Sequence, residues 1–320
     1  MVETSDEWIR ERTGIGERHV SVGETVVTLA SEAARKALEQ AGKRAEEIDL
    51  ILVATCSPEQ YLPCCACRVQ ADIGAVNALA FDVNAACSGF LFALNTADAY
   101  LRMGLAENAL IIGSEVLSKL VDWTDRSSCI LFGDGAGAVV VEQCGTESRA
   151  VEEKRIPAAG ILGRELHSDG TGGGVLQCGA RELTTPYART SAAKTDQNQP
   201  TNDREHYIQM DGQEVYRFAT RRVPQCIEEA LSDAGLAVPD IDMFVLHQAN
   251  ARIIDAVAKR LHADREKFPT NLERVGNLSS ASIPVLLDEL NRQEKLHRGD
   301  RIVLAGFGAG LTIGACVMTW

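Results

Sequence analysis

Apolar residues in this chain follow two rhythms. Over residues 25–41 they recur at three- and four-residue spacing, which predicts an amphipathic helix, with Gly42 as its stop. Over residues 48–55, IDLILVAT, they run almost unbroken, as in a strand buried on both faces. The two rhythms then alternate. A helix is expected over residues 68–73, a β-like run opening at Phe81, an Ala- and Leu-rich helix over 88–103 and a strand over 109–113. Farther on come strands at 158–168, 241–247, 302–306 and 312–319, and helices at 212–234, 249–262 and 280–292. A short helix from Trp8 to Arg18, capped by Thr4 or Ser5, precedes them all. Helices alternating with fully apolar strands indicate an α/β protein whose sheets are covered on both faces.

Two stretches break the alternation. Glycines at 133, 135 and 137 imitate a dinucleotide-binding loop, but they lead into AVVVE rather than into a helix. They predict a tight bend between two strands. Residues 181–205 turn polar, rich in Thr, Asn, Gln and Pro, and read as an excursion from the core.

The two halves repeat each other. Residues 37–54, ALEQAGKRAEEIDLILVA, align without a gap on residues 230–247, ALSDAGLAVPDIDMFVLH, an offset of 193. At an offset of 192, LIIGS (110–114) falls on IVLAG (302–306), and the turn around Cys87 falls on GNLSSAS (276–282). The chain therefore reads as an N-terminal half, 1–150, and a C-terminal half, 151–320, two α/β units related by a pseudo-twofold. By the same offset the strand at 158–168 would have its partner ahead of Met1. The first half is thus expected to lack its first strand, one placed inside the sheet rather than at its edge.

Composition narrows the chemistry. A net charge of −13 argues against nucleic-acid binding. No run of 18 apolar residues suggests a membrane span, and MVETSDEWIRERTG does not resemble a signal peptide. Ten cysteines without an even framework fit reduced thiols in a cytoplasm. A zinc site would want a Cys-x-x-Cys pair with a second pair beyond it; Cys64, Cys65 and Cys67 read instead as apolar filler at a helix start, with no metal. Cys87 differs. It stands at a strand-to-helix turn among Ala85, Ala86, Ser88 and Gly89, where helix N–H dipoles favour a thiolate. Ligands in α/β sheets gather at the carboxyl ends of strands. His247 ends a strand of the second half, and Asn277 lies in the repeat's counterpart of the Cys87 turn, completing a Cys/His/Asn set.

The segments TSDEWIRERTGI (4–15), FDVNAACSGF (81–90), DWTDRSSCILFGDGAGA (122–138), LHQANARII (246–254), GNLSSASIP (276–284) and GFGAGLTIGA (306–315) resemble those of the β-ketoacyl-(acyl-carrier-protein) synthase III family. The resemblance covers nearly the whole chain. It implies a thiolase-like fold with a layered αβαβα core and a decarboxylative Claisen condensation. An acyl-CoA starter, expected to be acetyl-CoA, would acylate Cys87; malonyl-acyl carrier protein would then lose CO2, and its enolate would attack the acyl-cysteine. His247 and Asn277 would donate to the enolate oxygen, and the backbone N–H groups of Cys87 and Ala309 would hold the acyl oxyanion. Ala309 stands where the family often has glycine. No cofactor is implied, since CoA is part of a substrate, and no base for a carbon-bound proton is needed. Trp8 and Arg126 match positions that sandwich the CoA adenine, Arg12 one near its phosphates, and Asn250 one facing the pantetheine arm. Leu62 matches a residue that reaches the acyl pocket of the partner in a homodimer. Arg252, Lys259 and Arg260 form a basic edge suited to an acidic carrier protein. The competing readings are a same-fold acyltransferase or starter-loading enzyme of specialised metabolism, a type III polyketide synthase, a non-catalytic partner subunit, and a redox-sensor thiol at Cys87.

Overall fold

A computed structural model describes residues 2–143, 160–179 and 206–320. The first half contributes α1 (Asp6–Thr13), α2 (Val26–Ala41), β1 (Leu50–Ala54), α3 (Cys65–Ile73), β2 (Leu79–Val83), α4 (Gly89–Arg102), β3 (Asn108–Val116) and β4 (Asp134–Glu142). The second contributes β5 (Gly160–Ser168), β6 (Leu176–Cys178), β7 (Ile208–Met210), α5 (Gly212–Ala234), β8 (Met243–Leu246), α6 (Ala251–Arg260), the one-turn α7 (Leu272–Val275), α8 (Ser282–Arg292), β9 (Arg301–Gly308) and β10 (Thr312–Thr319). Helix α1 is shorter than its apolar pattern suggests. Ser5 caps it by accepting from Trp8 N, and Gly14, at φ 81°, ends it in the left-handed region.

One sheet runs β2-β1-β3-β4 and the other β5-β10-β9-β8, while β6 and β7 form a separate antiparallel ribbon. β1 pairs parallel with β3, which pairs antiparallel with β4. β8, β9 and β10 repeat that pattern. Helices α4 and α8 lie between the sheets: Phe90 and Leu94 from one, and Ile283 and Leu287 from the other, share a core with Leu50, Leu52, Ile302 and Leu304. The alternate residues Ile51 and Val53 pack on α2 and α3, and Val303 and Ala305 pack on the layer of α5 and α6. The result is five layers, α/β/α/β/α. Each sheet is buried on both faces, which is why β1 reads as a continuous apolar run.

Two expectations are corrected. The glycines of 133–137 do not make a bend between strands, because Gly135 and Gly137 lie within β4. Gly137 pairs with Gly113 across the ladder. A Cβ on Gly113 would lie 2.3 Å from Ser280 O, and one on Gly137 2.7 Å from Val285 N. These bare positions let the start of α8 press against the sheet. The second correction concerns β5, which among the described residues is an edge strand beside β10. The equivalent place in the first sheet, beyond β4, is therefore also an edge and not the interior. The excursion at 181–205 lies outside the described residues. Among the described residues no helix is long and apolar enough to cross a membrane.

Candidate active site

Each half places the same turn ahead of its central helix. Asn84-Ala85-Ala86-Cys87-Ser88 leads into α4, and Asn277-Leu278-Ser279-Ser280-Ala281 leads into α8, with every pair of positions 193 apart. Ala86 takes φ 47° and Ser279 φ 50°, a left-handed backbone that residues with a Cβ rarely adopt. In both turns the asparagine Oδ1 accepts from the N–H two residues on, at 3.4 Å for Asn84 and Ala86 and 2.9 Å for Asn277 and Ser279. Cys87 thus has Ser280 as its counterpart, and Asn277 has Asn84.

The Cys87 side is closed over by the end of β9. A Cβ on Gly308 would sit 2.7 Å from Cys87 N, so only a glycine allows that approach. Ser88 Oγ lies 2.7 Å from Thr312 Oγ1, which donates to Ala309 O at 2.9 Å and ties the β9–β10 turn to the Cys87 turn. Among the described residues, neither Cys87 N nor Ala309 N donates to a backbone or side-chain oxygen. Both remain available to a ligand oxygen. Cys87 is 8% exposed. Burial pushes its thiol up to about 12; the Ser279 hydroxyl beside it pulls the other way, and the Glu115 charge adds to the rise. Burial thus works against the resting thiolate expected at the helix start.

Behind Cys87 lies a buried carboxyl that sequence reasoning missed. Glu115, fully buried on β3, accepts from Cys56 N at 3.1 Å, Thr55 Oγ1 at 3.2 Å and Ser280 Oγ at 3.0 Å, and from Ser57 Oγ. It pins the end of β1 to the turn before α8. The one signal was an acidic residue inside the apolar run LIIGSEV. Ser279 was missed as well, although the repeat aligns it with Ala86.

His247 follows β8, its N–H bonded to Ala305 O of β9 at 2.8 Å and its ring 5.5 Å edge-on from that of Phe307. It is 2% exposed, and burial lowers its pKa to about 3, so it is a neutral imidazole at physiological pH. Nδ1 is buried without a partner. An orphaned N–H is costlier than an orphaned acceptor, which favours the proton on Nε2. Asn277 has Oδ1 engaged by Ser279 N and its backbone held between Leu131 O and Gly133 N. Its Nδ2 makes no hydrogen bond among the described residues. Each thus presents one free donor. The two are linked to Cys87 through shared neighbours: Ser279 joins the thiol to Asn277, and β9 joins the Cys87 turn to His247.

The remaining residues fall into three places. Arg126 Cζ stands 4.8 Å and Arg12 Cζ 5.6 Å from the centre of the Trp8 ring, so the three expected CoA residues meet. Arg126 also donates to Glu3 O. Asn250 caps α6 by accepting from Arg252 N, and its Nδ2 donates to Arg12 O. Leu62 is 85% exposed on the loop between β1 and α3. Arg252, Lys259 and Arg260 are exposed on α6, with Arg252 also donating to Glu11 O. Among the described residues no three His, Cys, Asp or Glu side chains gather as a metal site.

Paired turns, one bearing a thiol and the other an amide donor, inside a duplicated five-layer α/β core define a thiolase-fold acyl-transferring enzyme. Comparison with known proteins narrows this further. Residues 81–170 match the sequence profile of 3-oxoacyl-(acyl-carrier-protein) synthase III, and residues 231–320 that of its C-terminal part. A β-ketoacyl-(acyl-carrier-protein) synthase III of Clostridium acetobutylicum is 45% identical over 320 residues, 100% of this chain and 92% of the relative. One from Synechococcus is 48% identical, covering 100% and 89%. The crystal structure of 3-oxoacyl-(acyl-carrier-protein) synthase III from Aquifex aeolicus matches with a TM-score of 0.85 at 39% identity, covering 100% of this chain and 92% of that one. The chain belongs to the β-ketoacyl-(acyl-carrier-protein) synthase III family.

Proposed function

We infer that this chain starts fatty acid synthesis by joining an acyl-CoA to malonyl-acyl carrier protein with loss of CO2. Cys87 attacks the acyl-CoA thioester, and the oxyanion that forms is held by the N–H groups of Cys87 and Ala309. Collapse expels CoA, whose sulfur takes the proton that left the Cys87 thiol. With a thiol near 12, the proton must leave as the new bond forms rather than before it.

Malonyl-acyl carrier protein then loses CO2, and negative charge gathers on its thioester oxygen. His247 Nε2–H and Asn277 Nδ2–H stabilise that charge in a dry site, where fixed donors act strongly. The enolate carbon attacks the acyl-cysteine carbonyl. Collapse of this second adduct releases the 3-ketoacyl product and returns Cys87. Trp8, Arg12 and Arg126 hold the CoA nucleotide, and Asn250 borders the pantetheine. Arg252, Lys259 and Arg260 receive the acidic carrier protein. The enzyme works as a cytoplasmic homodimer in which Leu62, so exposed on its own chain, meets the partner's acyl pocket.

The observation that carries this reading is the duplicated turn, whose first copy bears the thiol of Cys87 where the second has Ser280, and whose second copy fixes Asn277 with an open Nδ2. The test is intact-mass analysis with acetyl-CoA, together with CO2 release from malonyl-acyl carrier protein. The native chain gains an acetyl group on Cys87 and Cys87→Ser does not. Acetylation of Cys87→Ser at the native rate would sink the assignment.

A further inference from the structure

The cysteine cluster ahead of α3 has no part in this chemistry. Cys64 is the N-cap of α3, and Cys67 stands three residues on, in its first turn. Ser, Thr, Asp or Asn at an N-cap accepts from a first-turn N–H and contributes about 1 kcal/mol. Cys64 makes no such bond. Asp82 of β2 serves the helix start instead, accepting from Cys65 N at 2.8 Å and Ala66 N at 2.7 Å. The Cys64 side chain is left to its neighbour, and it is the largest influence on the Cys67 thiol, which it raises. Cys67 Sγ also donates to Ala80 O at 3.5 Å. Cys64 and Cys67 are partly exposed, whereas Cys65 between them is buried. Cys64 precedes the helix with an extended backbone, φ −64° and ψ 160°, so its Cβ is not held at the helical spacing of about 5–6 Å, and a backbone shift at this end of the loop brings it towards the ~3.8 Å Cβ separation of a disulfide. A Cys-x-x-Cys at the start of a helix that follows a strand has the form of a redox dithiol. The expectation of plain apolar filler does not account for two partly exposed neighbouring thiols at a helix start that Asp82 already serves.

We propose that Cys64 and Cys67 are a reversible dithiol, closed to an intrachain disulfide by a low-molecular-weight disulfide and reopened by a dithiol. In the first step one cysteine thiolate attacks the small disulfide, forming a mixed disulfide and releasing one thiolate. The other cysteine sulfur then attacks the protein sulfur of that bond and releases the second thiolate. Both cysteine protons end on the released thiols. The pair gives up two electrons, and the small disulfide takes up two. Closure breaks the bond from Cys67 to Ala80 O and joins the end of the Leu62 loop to the first turn of α3.

The test incubates the full chain with excess oxidised glutathione at mildly alkaline pH, then alkylates free thiols and maps the cysteines by mass spectrometry. The native chain loses two hydrogens, about 2 Da, between Cys64 and Cys67, and dithiothreitol restores them. Cys65→Ser closes as the native chain does. Cys67→Ser stops at a glutathione adduct on Cys64. Cys64→Ser cannot close, and it should fold well because serine is a preferred N-cap. An unclosed native pair overturns the proposal, as does a bond in Cys64→Ser that still involves Cys67. Cys87 acylation is measured separately and does not enter this readout.

Discussion

Replacing Asn277 with alanine separates two roles of one side chain, the proposed donor to the enolate and the acceptor that holds its turn. Nδ2 is the open donor, so its loss acts on decarboxylation. Removing one preorganised donor from a developing oxyanion costs about 10²–10³ in rate, equivalent to about 2.7–4 kcal/mol. Oδ1 is the acceptor for Ser279 N at 2.9 Å in a turn almost closed to water. Its loss leaves a buried N–H unpaired, which costs about 1–3 kcal/mol of stability. The proposed oxyanion donors, Cys87 N and Ala309 N, lie on other segments and are untouched. The assay measures the half-reactions apart: acetyl transfer from acetyl-CoA by intact mass, and CO2 release from malonyl-acyl carrier protein by trapping. Asn277→Ala should slow CO2 release at least ~10²-fold while acetyl transfer falls far less, and it should melt a few degrees lower. A deformed site would damage both steps alike. Equal losses, or CO2 release near the native rate, would refute the assignment of Nδ2 to the enolate.

Other outcomes follow from the same geometry. Since burial holds the Cys87 thiol near 12, its alkylation by iodoacetamide should keep rising with pH through 9; a plateau by neutral pH would reveal a resting thiolate. His247 is held neutral, with its pKa lowered from 6.5 to about 3, so the unfolded chain binds a proton there that the folded chain refuses. Its contribution is intact above 6.5 and is lost as pH falls towards 3. Between pH 6.5 and 5 that loss amounts to about 2 kcal/mol, and urea titrations should find it reduced in His247→Gln. An unchanged pH slope in that variant would contradict the burial argument. Gly113→Ala sets a methyl 2.3 Å from Ser280 O, with backbone on every near side, and should lose about 1–3 kcal/mol in the same titrations. A native-like midpoint would mean that the start of α8 yields freely.

Much of the fold was legible because its causes are local. The continuous apolar run of β1 and the spaced apolar face of α2 state their burial directly, and Gly42 marks a helix end wherever the chain packs. The repeat did more, placing Asn277 in the counterpart of the Cys87 turn before any coordinate was known. Other features were hidden because their partners lie far along the chain. Gly137 looks like a turn residue, and Gly113 like an ordinary strand end, until Val285 and Ser280 are seen pressing on them. Glu115 looks like a strand end until Ser57 and Ser280 close around it.

The residue types settled the chemistry that is possible: one thiol at a strand-to-helix turn, one imidazole and one amide at matching places in the other half. A sequence can fix these because side-chain chemistry and backbone periodicity belong to the residues themselves. Protonation and direction do not. The same cysteine at a solvated helix start would be drawn towards the thiolate, whereas here the end of β9 and the turn before α8 shut water out and push the thiol up. Asn277 could have turned either end to the site; Ser279 N, fixed by a left-handed backbone, leaves Nδ2 as the open end. Solvation and hydrogen-bond pairing depend on which distant segments arrive at a group, and only the tertiary structure decides that.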